Sequence, residues 1–187
     1  LEFSASGVFI LNESEASWMS QSEYVKKMEA TAKVYYDAGI KYLEGEADNG
    51  PDTKKAFACF WRAANMEHAQ AAYQVGKMYD EGIGMTQNYA NAVDWYKKAG
   101  RVPEAQTRLG VMYAEGIGVK QNYLTASHHF RSAIILGDTI AARHIREMKE
   151  KGLIKEETFP DDFIFEIAEH TAQFSGGDDA CYAWLAN

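Results

Sequence analysis

The sequence predicts an all-α fold, an α/α solenoid or superhelix built of stacked antiparallel helix hairpins. Two observations carry that prediction: an internal repeat, and helix start and stop signals that recur with it. Val75-Gly76-Lys77-Met78-Tyr79-Asp80-Glu81-Gly82-Ile83-Gly84-Met85 returns as Leu109-Gly110-Val111-Met112-Tyr113-Ala114-Glu115-Gly116-Ile117-Gly118-Val119, an offset of 34 residues. The register persists, since Gln87-Asn88-Tyr89 matches Gln121-Asn122-Tyr123, Ala92 matches Ala126, and Trp95-Tyr96-Lys97 matches His129-Phe130-Arg131. A weaker copy runs upstream from Ala38 to Gly45, and another ends downstream at Lys151-Gly152-Leu153. Self-similarity at such a period is the signature of repeat architectures, whose units bury their apolar faces only by stacking.

Taken in order, residues 1–20 match no repeat and read as an N-terminal arm against the first hairpin. Ser20 and Glu23 have capping-box spacing and start the first long helix. Ala71, Ala72, Val75, Met78 and Tyr79 fall at helical spacing. Gly82 follows as a C′ residue, where the left-handed conformation costs glycine nothing. Asn88 caps a second helix from Tyr89 to about Ala99, and Asn122 caps one from Tyr123 to Leu136. Pro103 suits the first turn of another helix, and Asp138 caps one starting at Thr139. Beyond Pro160, Asp161 to about Phe174 reads as an amphipathic helix with Phe163, Phe165, Ile167 and Ala168 for burial. Ser175-Gly176-Gly177 ends it, and the apolar stretch Ala180 to Leu185 is expected to pack back as a cap. The organisation is thus an arm (1–20), helical repeats (21–152, about three clear hairpins and the first helix of a fourth) and a C-terminal capping helix with tail (153–187).

Small residues set the packing expectation. Ala64, Ala69, Ala71, Ala92, Ala99, Ala105, Ala126, Ala133 and Ala141 fall where helices would cross, which lets backbones approach. Trp61, Tyr79, Trp95, Tyr113 and Phe130 are expected to fill the space between layers rather than form an aromatic ligand box.

Charge narrows the partners. The net charge is −8, but all 19 Lys and Arg lie between Lys26 and Lys155, leaving both ends acidic and the middle mildly basic. An acidic end is a solvated tail, or a contact for a basic partner or for the basic middle. No Lys/Arg cluster with interleaved aromatics supports nucleic-acid binding. No apolar run approaches the ~20 residues of a membrane span; the run Gly7 to Leu11 is only strand-length. Two cysteines, Cys59 and Cys181, are too few for a disulfide framework and read as free thiols, with one long-range bridge as the alternative. Leu1-Glu2-Phe3 reads as a cloning scar or the start of a mature chain, which leaves room for a removed secretory signal. A periplasmic or secreted place is favoured over a cytoplasmic one, and a monomer or weak dimer is expected.

Ala63 to Gly76, followed by Met78-Tyr79 and the Gly82-Ile83-Gly84 loop, resembles the Sel-one-like repeat, a subclass of tetratricopeptide-like superhelices. The resemblance covers roughly residues 28–152. The turn Gly100-Arg101-Val102-Pro103 departs from the family pattern by being two residues shorter, and His129 replaces the aromatic of Trp95. The family implies an adaptor or scaffold, in bacterial envelope, secretion and host-interaction systems or in eukaryotic quality control, that binds another protein or peptide. A bacterial envelope adaptor or an immunity protein for a secreted effector would be two forms of that role. The concave face is lined in the family by the first helix of each repeat. The corresponding positions are Lys33, Tyr36, Gln70, Tyr73, Lys77, Glu104, Thr107, Arg143 and Glu147. Tyrosine and arginine are favoured interface anchors.

Catalytic patterns do not appear. There is no Gly-x-Ser-x-Gly, His-Glu-x-x-His or phosphate-loop motif, and the Gly-Ile-Gly loops recur as repeat turns. Some relatives are associated with weak β-lactam binding, yet none of the nine serines has a lysine three residues on. His128 and His129 are adjacent and point to different sides of a helix; Glu166 and His170 share a helical face but read as an ion pair. No enzyme, cofactor or metal is therefore expected. A weak β-lactam-binding hydrolase and a structural segment of a larger protein are the alternatives.

Overall fold

The computed structural model describes residues 20–45 and 50–154. These contain seven α-helices and no strand: α1 (Gln21–Glu44), α2 (Thr53–Asn65), α3 (Ala69–Glu81), α4 (Tyr89–Ala99), α5 (Pro103–Glu115), α6 (Tyr123–Ile135) and α7 (Ile140–Glu150). The chain divides between Ala99 and Gly100 into two compact units. In the first, α1 packs on α2, α2 on α3 and α3 on α4; in the second, α5 packs on α6 and α6 on α7. The N-terminal arm, the Asp161–Phe174 helix, the Glu166/His170 pair, Cys181 and the apolar tail all lie outside the described residues.

Local chemistry fixes the helix ends much as the sequence implies. The Ser20 hydroxyl accepts from the Glu23 N–H while the Glu23 carboxylate accepts from the Ser20 N–H at 3.1 Å, a closed capping box. Asn88 Oδ1 accepts from the Asn91 N–H and Asn122 Oδ1 from the Thr125 N–H, each at 3.0 Å. Gly82 and Gly116 take φ of 70° and 76°, and their N–H groups reach back to the carbonyls of Met78 and Met112. The next amides, of Ile83 and Ile117, bond the same two carbonyls. Gln87 and Gln121 then donate side-chain N–H groups to the carbonyls of Asp80 and Ala114, at 2.6 and 2.7 Å. The two Gly-Ile-Gly loops are therefore one structure made twice, with the first two N–H groups of each turn bonded back to the helix carbonyls. The last helix begins at Ile140, one residue after the expected start, but Asp138 is still its capping carboxylate, accepting from the Ile140 N–H at 3.0 Å.

The core rests on close approach of the two helices of a hairpin. Ala71, Ala92, Ala99, Ala105, Ala126, Ala133 and Ala141 are fully buried, whereas Ala64 and Ala69 are half-buried. One glycine in each first helix lies under one aromatic ring of the second: Gly39 under Phe60, Gly76 under Tyr96, and Gly110 under Phe130. A Cβ at any of the three would stand 2.5–2.7 Å from the nearest ring carbon, well inside the ~3.5–4.0 Å of van der Waals contact. Phe60, Tyr96 and Phe130 are the largest fully buried side chains. This corrects the expectation for Trp61, which is 47% exposed. The neighbouring Phe60 fills the layer instead, because helical geometry points adjacent residues about 100° apart and only one can face the glycine.

Candidate protein-binding surface

None of the nine first-helix positions is fully buried. In the first unit they flank the glycine–aromatic seam. Tyr36 and Tyr73 hold equivalent register, 37 residues apart, and both are half-buried. The Tyr36 ring stacks on His68 at 4.7 Å between centroids and tilts against Phe60 at 5.7 Å; Tyr73 tilts against Tyr96 at 5.9 Å. Each tyrosine is thus half-buried with its ring packed against another aromatic ring, an arrangement that restrains the side chain. Gln70 is exposed and Lys77 half-exposed. Lys33 pairs with Asp37 at 2.7 Å, but both side chains are solvated, so the pair contributes at most about 1 kcal/mol and leaves the lysine available.

In the second unit Glu104 is exposed in the first turn of α5. The Thr107 hydroxyl donates to Asp138 Oδ2 at 2.5 Å, the other oxygen of the carboxylate that caps α7. Thr107 therefore joins α5 to the α7 cap. Arg143 and Glu147 are exposed and face each other at 3.8 Å across one helical turn. Gln106 braces the short turn before α5 by donating to the Gly100 carbonyl, and its other amide atom meets His129 Nδ1 at 2.8 Å. His129 stacks on Tyr113 at 5.4 Å, so the histidine that replaces an aromatic still packs as one.

His68 has no metal-ligand partner at helical spacing in the sequence, and the structure gives it another role. Its Nδ1 accepts from the Ala71 N–H at 3.2 Å and caps α3, while its ring carries Tyr36. Burial, the largest influence, holds its pKa below the usual histidine value. The signal was present in register. Glu67 and His68 make the same backbone bonds to Ala64 and Ala63 that Gly137 and Asp138 make to Ile134 and Ala133. His68 thus occupies the place of the cap Asp138, and Glu67 (φ 65°) the place of a glycine.

The two buried polar side chains among the described residues, Asp80 and Ser127, are hydrogen-bonded. Tyr96 donates its hydroxyl to Asp80 Oδ2 at 3.0 Å, and Ser127 donates to the Leu124 carbonyl at 2.8 Å. Among the described residues no three His, Cys, Asp or Glu side chains form a group able to hold a metal. Cys59 is a free, half-buried thiol whose pKa burial pushes up, away from thiolate reactivity. No helix among the described residues is long and apolar enough to cross a membrane.

The Sel1 repeat profile matches residues 32–68, 69–101 and 103–138, more than half of the chain. Among solved structures the chain is similar to a Sel1 repeat protein from Oxalobacter formigenes, with 23% identity, a TM-score of 0.67, and coverage of 82% of this chain and 65% of that one. It is similar to c5321, described as a protective antigen present in uropathogenic Escherichia coli strains displaying an SLR fold. There the identity is 31%, the TM-score 0.65, and the coverage 84% of this chain and 34% of that one. It is also similar to Helicobacter pylori cysteine rich protein B, at 20% identity and a TM-score of 0.52, over 66% of this chain and 96% of that one. The chain spans less than two-thirds of the first of these proteins and about one-third of the second. No curated protein matches it by sequence.

Proposed function

The chain belongs to the Sel1 repeat family, and from that premise we propose that it is a non-catalytic scaffold binding another protein through the first-helix faces of its two units. The observation that carries this reading is the state of the nine first-helix positions. They remain solvent-accessible while the residues beside them on the same helices, such as Ala32, Ala72, Val75 and Leu109, are buried. Tyr36 and Tyr73 supply rigid amphipathic rings there, the kind of side chain that dominates binding energy at interfaces. The engagement of Asp80 and Ser127 in structural bonds supports a non-catalytic role. A bacterial envelope adaptor is the form we favour, because the similar solved proteins are bacterial and one is described as a protective antigen.

The test is capture of a partner from source lysate by the chain and by variants. Tyr36→Ala, Tyr73→Ala, Lys77→Ala and Arg143→Ala together are expected to lower partner affinity at least tenfold. Lys33→Glu with Lys77→Glu, which leaves the core untouched, is expected to weaken capture as well. Unchanged capture by both variants, with helical circular dichroism preserved, overturns the reading.

A further inference from the structure

A groove of about 200 Å³ opens in the second unit between the end of α5, the start of α6 and α7. That volume is below the ~300–1,000 Å³ of small-molecule sites and suits a single side chain. Among the described residues its apolar lining includes Val111, Ala114 and Met148. Its aromatic wall is Tyr123 together with His144, whose ring lies flat on the buried Phe130 at 4.9 Å and 11°. Its charged lining is Glu115, Glu147 and Lys151, two carboxylates against one ammonium.

The carboxylate pair is peculiar to this place in the repeat. Ala105 and Ala141, both fully buried, set the register between α5 and α7. By that register Glu147 stands where the preceding repeat has Val111 and the one before it Lys77. A basic residue and then an apolar one thus give way to an acidic one opposite Glu115.

We infer that this groove takes a lysine or arginine side chain of the protein partner, which names the partner's chemistry and rests on the scaffold reading above. The aliphatic stem of such a residue lies along Val111, Ala114 and Met148, as long cationic side chains do on apolar surface. Its charged head meets Glu115 and Glu147, and the π face of Tyr123 adds attraction for a cation. An acidic side chain would be repelled by Glu115 and by Glu147, whose pairing with the solvated Arg143 at 3.8 Å screens it only in part. A purely apolar one would strip water from both carboxylates and return nothing to them. Lys151 opposes the cation, so its removal must act in the opposite sense to removal of either glutamate.

The experiment uses the full chain and three blocked amino acids: N-acetyl-lysine methylamide, N-acetyl-arginine methylamide and the uncharged N-acetyl-norleucine methylamide. NMR titration follows the ring resonances of Tyr123 and His144. The two cations are expected to shift them saturably and the norleucine probe to bind at least about fivefold more weakly. Glu115→Gln with Glu147→Gln is expected to weaken cation binding about fivefold and Lys151→Gln to tighten it about twofold, the scale of solvated charge pairs. Equal binding of norleucine, no saturable shift, or glutamate and lysine variants moving affinity in the same direction each overturns the inference. Partner capture that is lost in the four-residue variant while these probes fail refutes the groove alone. Intact capture in the variants of the preceding subsection refutes the scaffold reading.

Discussion

Replacing Gly110 by Ala should destabilise the second unit, although alanine is the better helix former. In an exposed helix interior that change stabilises by about 1 kcal/mol. Here the new Cβ would stand 2.5 and 2.6 Å from two ring carbons of Phe130. The ring is 1% exposed and His144 covers it with near-parallel stacking, so a retreat by the ~1 Å required must push the His144 ring toward the groove that both rings line. Overpacking of a well-filled core costs about 1–3 kcal/mol, and a clash of this depth with a pinned ring belongs at the upper end. The net loss is then about 2 kcal/mol, or roughly 4–8 °C in Tm for a chain of this size. Urea denaturation followed by circular dichroism measures it, and amide exchange in α5 and α6 places it, since repeat arrays can open piecewise. Two controls sharpen the result. Gly50→Ala, where an added Cβ meets nothing within 4 Å, should be neutral or stabilising by up to about 1 kcal/mol. Phe130→Leu removes the ring edge, so the pair Gly110→Ala, Phe130→Leu should be more stable than the sum of the single changes by at least 1 kcal/mol, about twice the ~0.5 kcal/mol additivity error. A Gly110→Ala protein as stable as the parent, or additive losses in that cycle, refutes the close-approach argument.

Three further outcomes follow from the same geometry. Tyr96→Phe should lose about 1.5–3 kcal/mol by removing a hydroxyl bond to the buried Asp80 carboxylate, and adding Asp80→Ala should recover much of it, because that pair copies Ala114 and Phe130 of the next repeat; a double-mutant cycle read by denaturation checks this. Glu67→Gly should gain about 0.5–1 kcal/mol by relieving a left-handed residue, net of the entropy glycine brings to the unfolded chain, and denaturation with an unchanged m-value measures it. His68 binds the Ala71 N–H through an unprotonated nitrogen, and its folded pKa is depressed. Its stabilisation is therefore present above the unfolded value of about 6.5 and is lost as pH falls from there through the folded pKa. The Tm difference between the parent and His68→Asn, whose amide caps at any pH, should shift against the parent as pH drops from 7.5 to 5; a constant difference refutes the cap assignment.

The proposed binding surface was legible in the sequence only as a register. Lys33, Tyr36, Gln70, Tyr73 and Lys77 follow from aligning first helices, and all prove accessible. Thr107 shows the limit of that logic: the same register gives an accessible position, yet its hydroxyl is already engaged by Asp138, a contact 31 residues away in sequence. Histidine was opaque for a similar reason. His68, His129 and His144 each lie flat against an aromatic ring from another helix, and sequence spacing within one helix carries no information about that neighbour.

What the sequence determined by itself was governed by contacts a few residues apart. Helix lengths, the capping box at Ser20, the asparagine caps and the left-handed glycines depend on local backbone valences, so the repeat displays them directly. Which of two adjacent aromatics turns inward was decided only by tertiary packing. Trp61 and Phe60 are both aromatic, but only the ring placed over Gly39 can approach a bare backbone, and that glycine belongs to a different helix. The groove beside His144 has the same origin, because its carboxylates come from α5 and α7 and meet only once both helices are packed against α6.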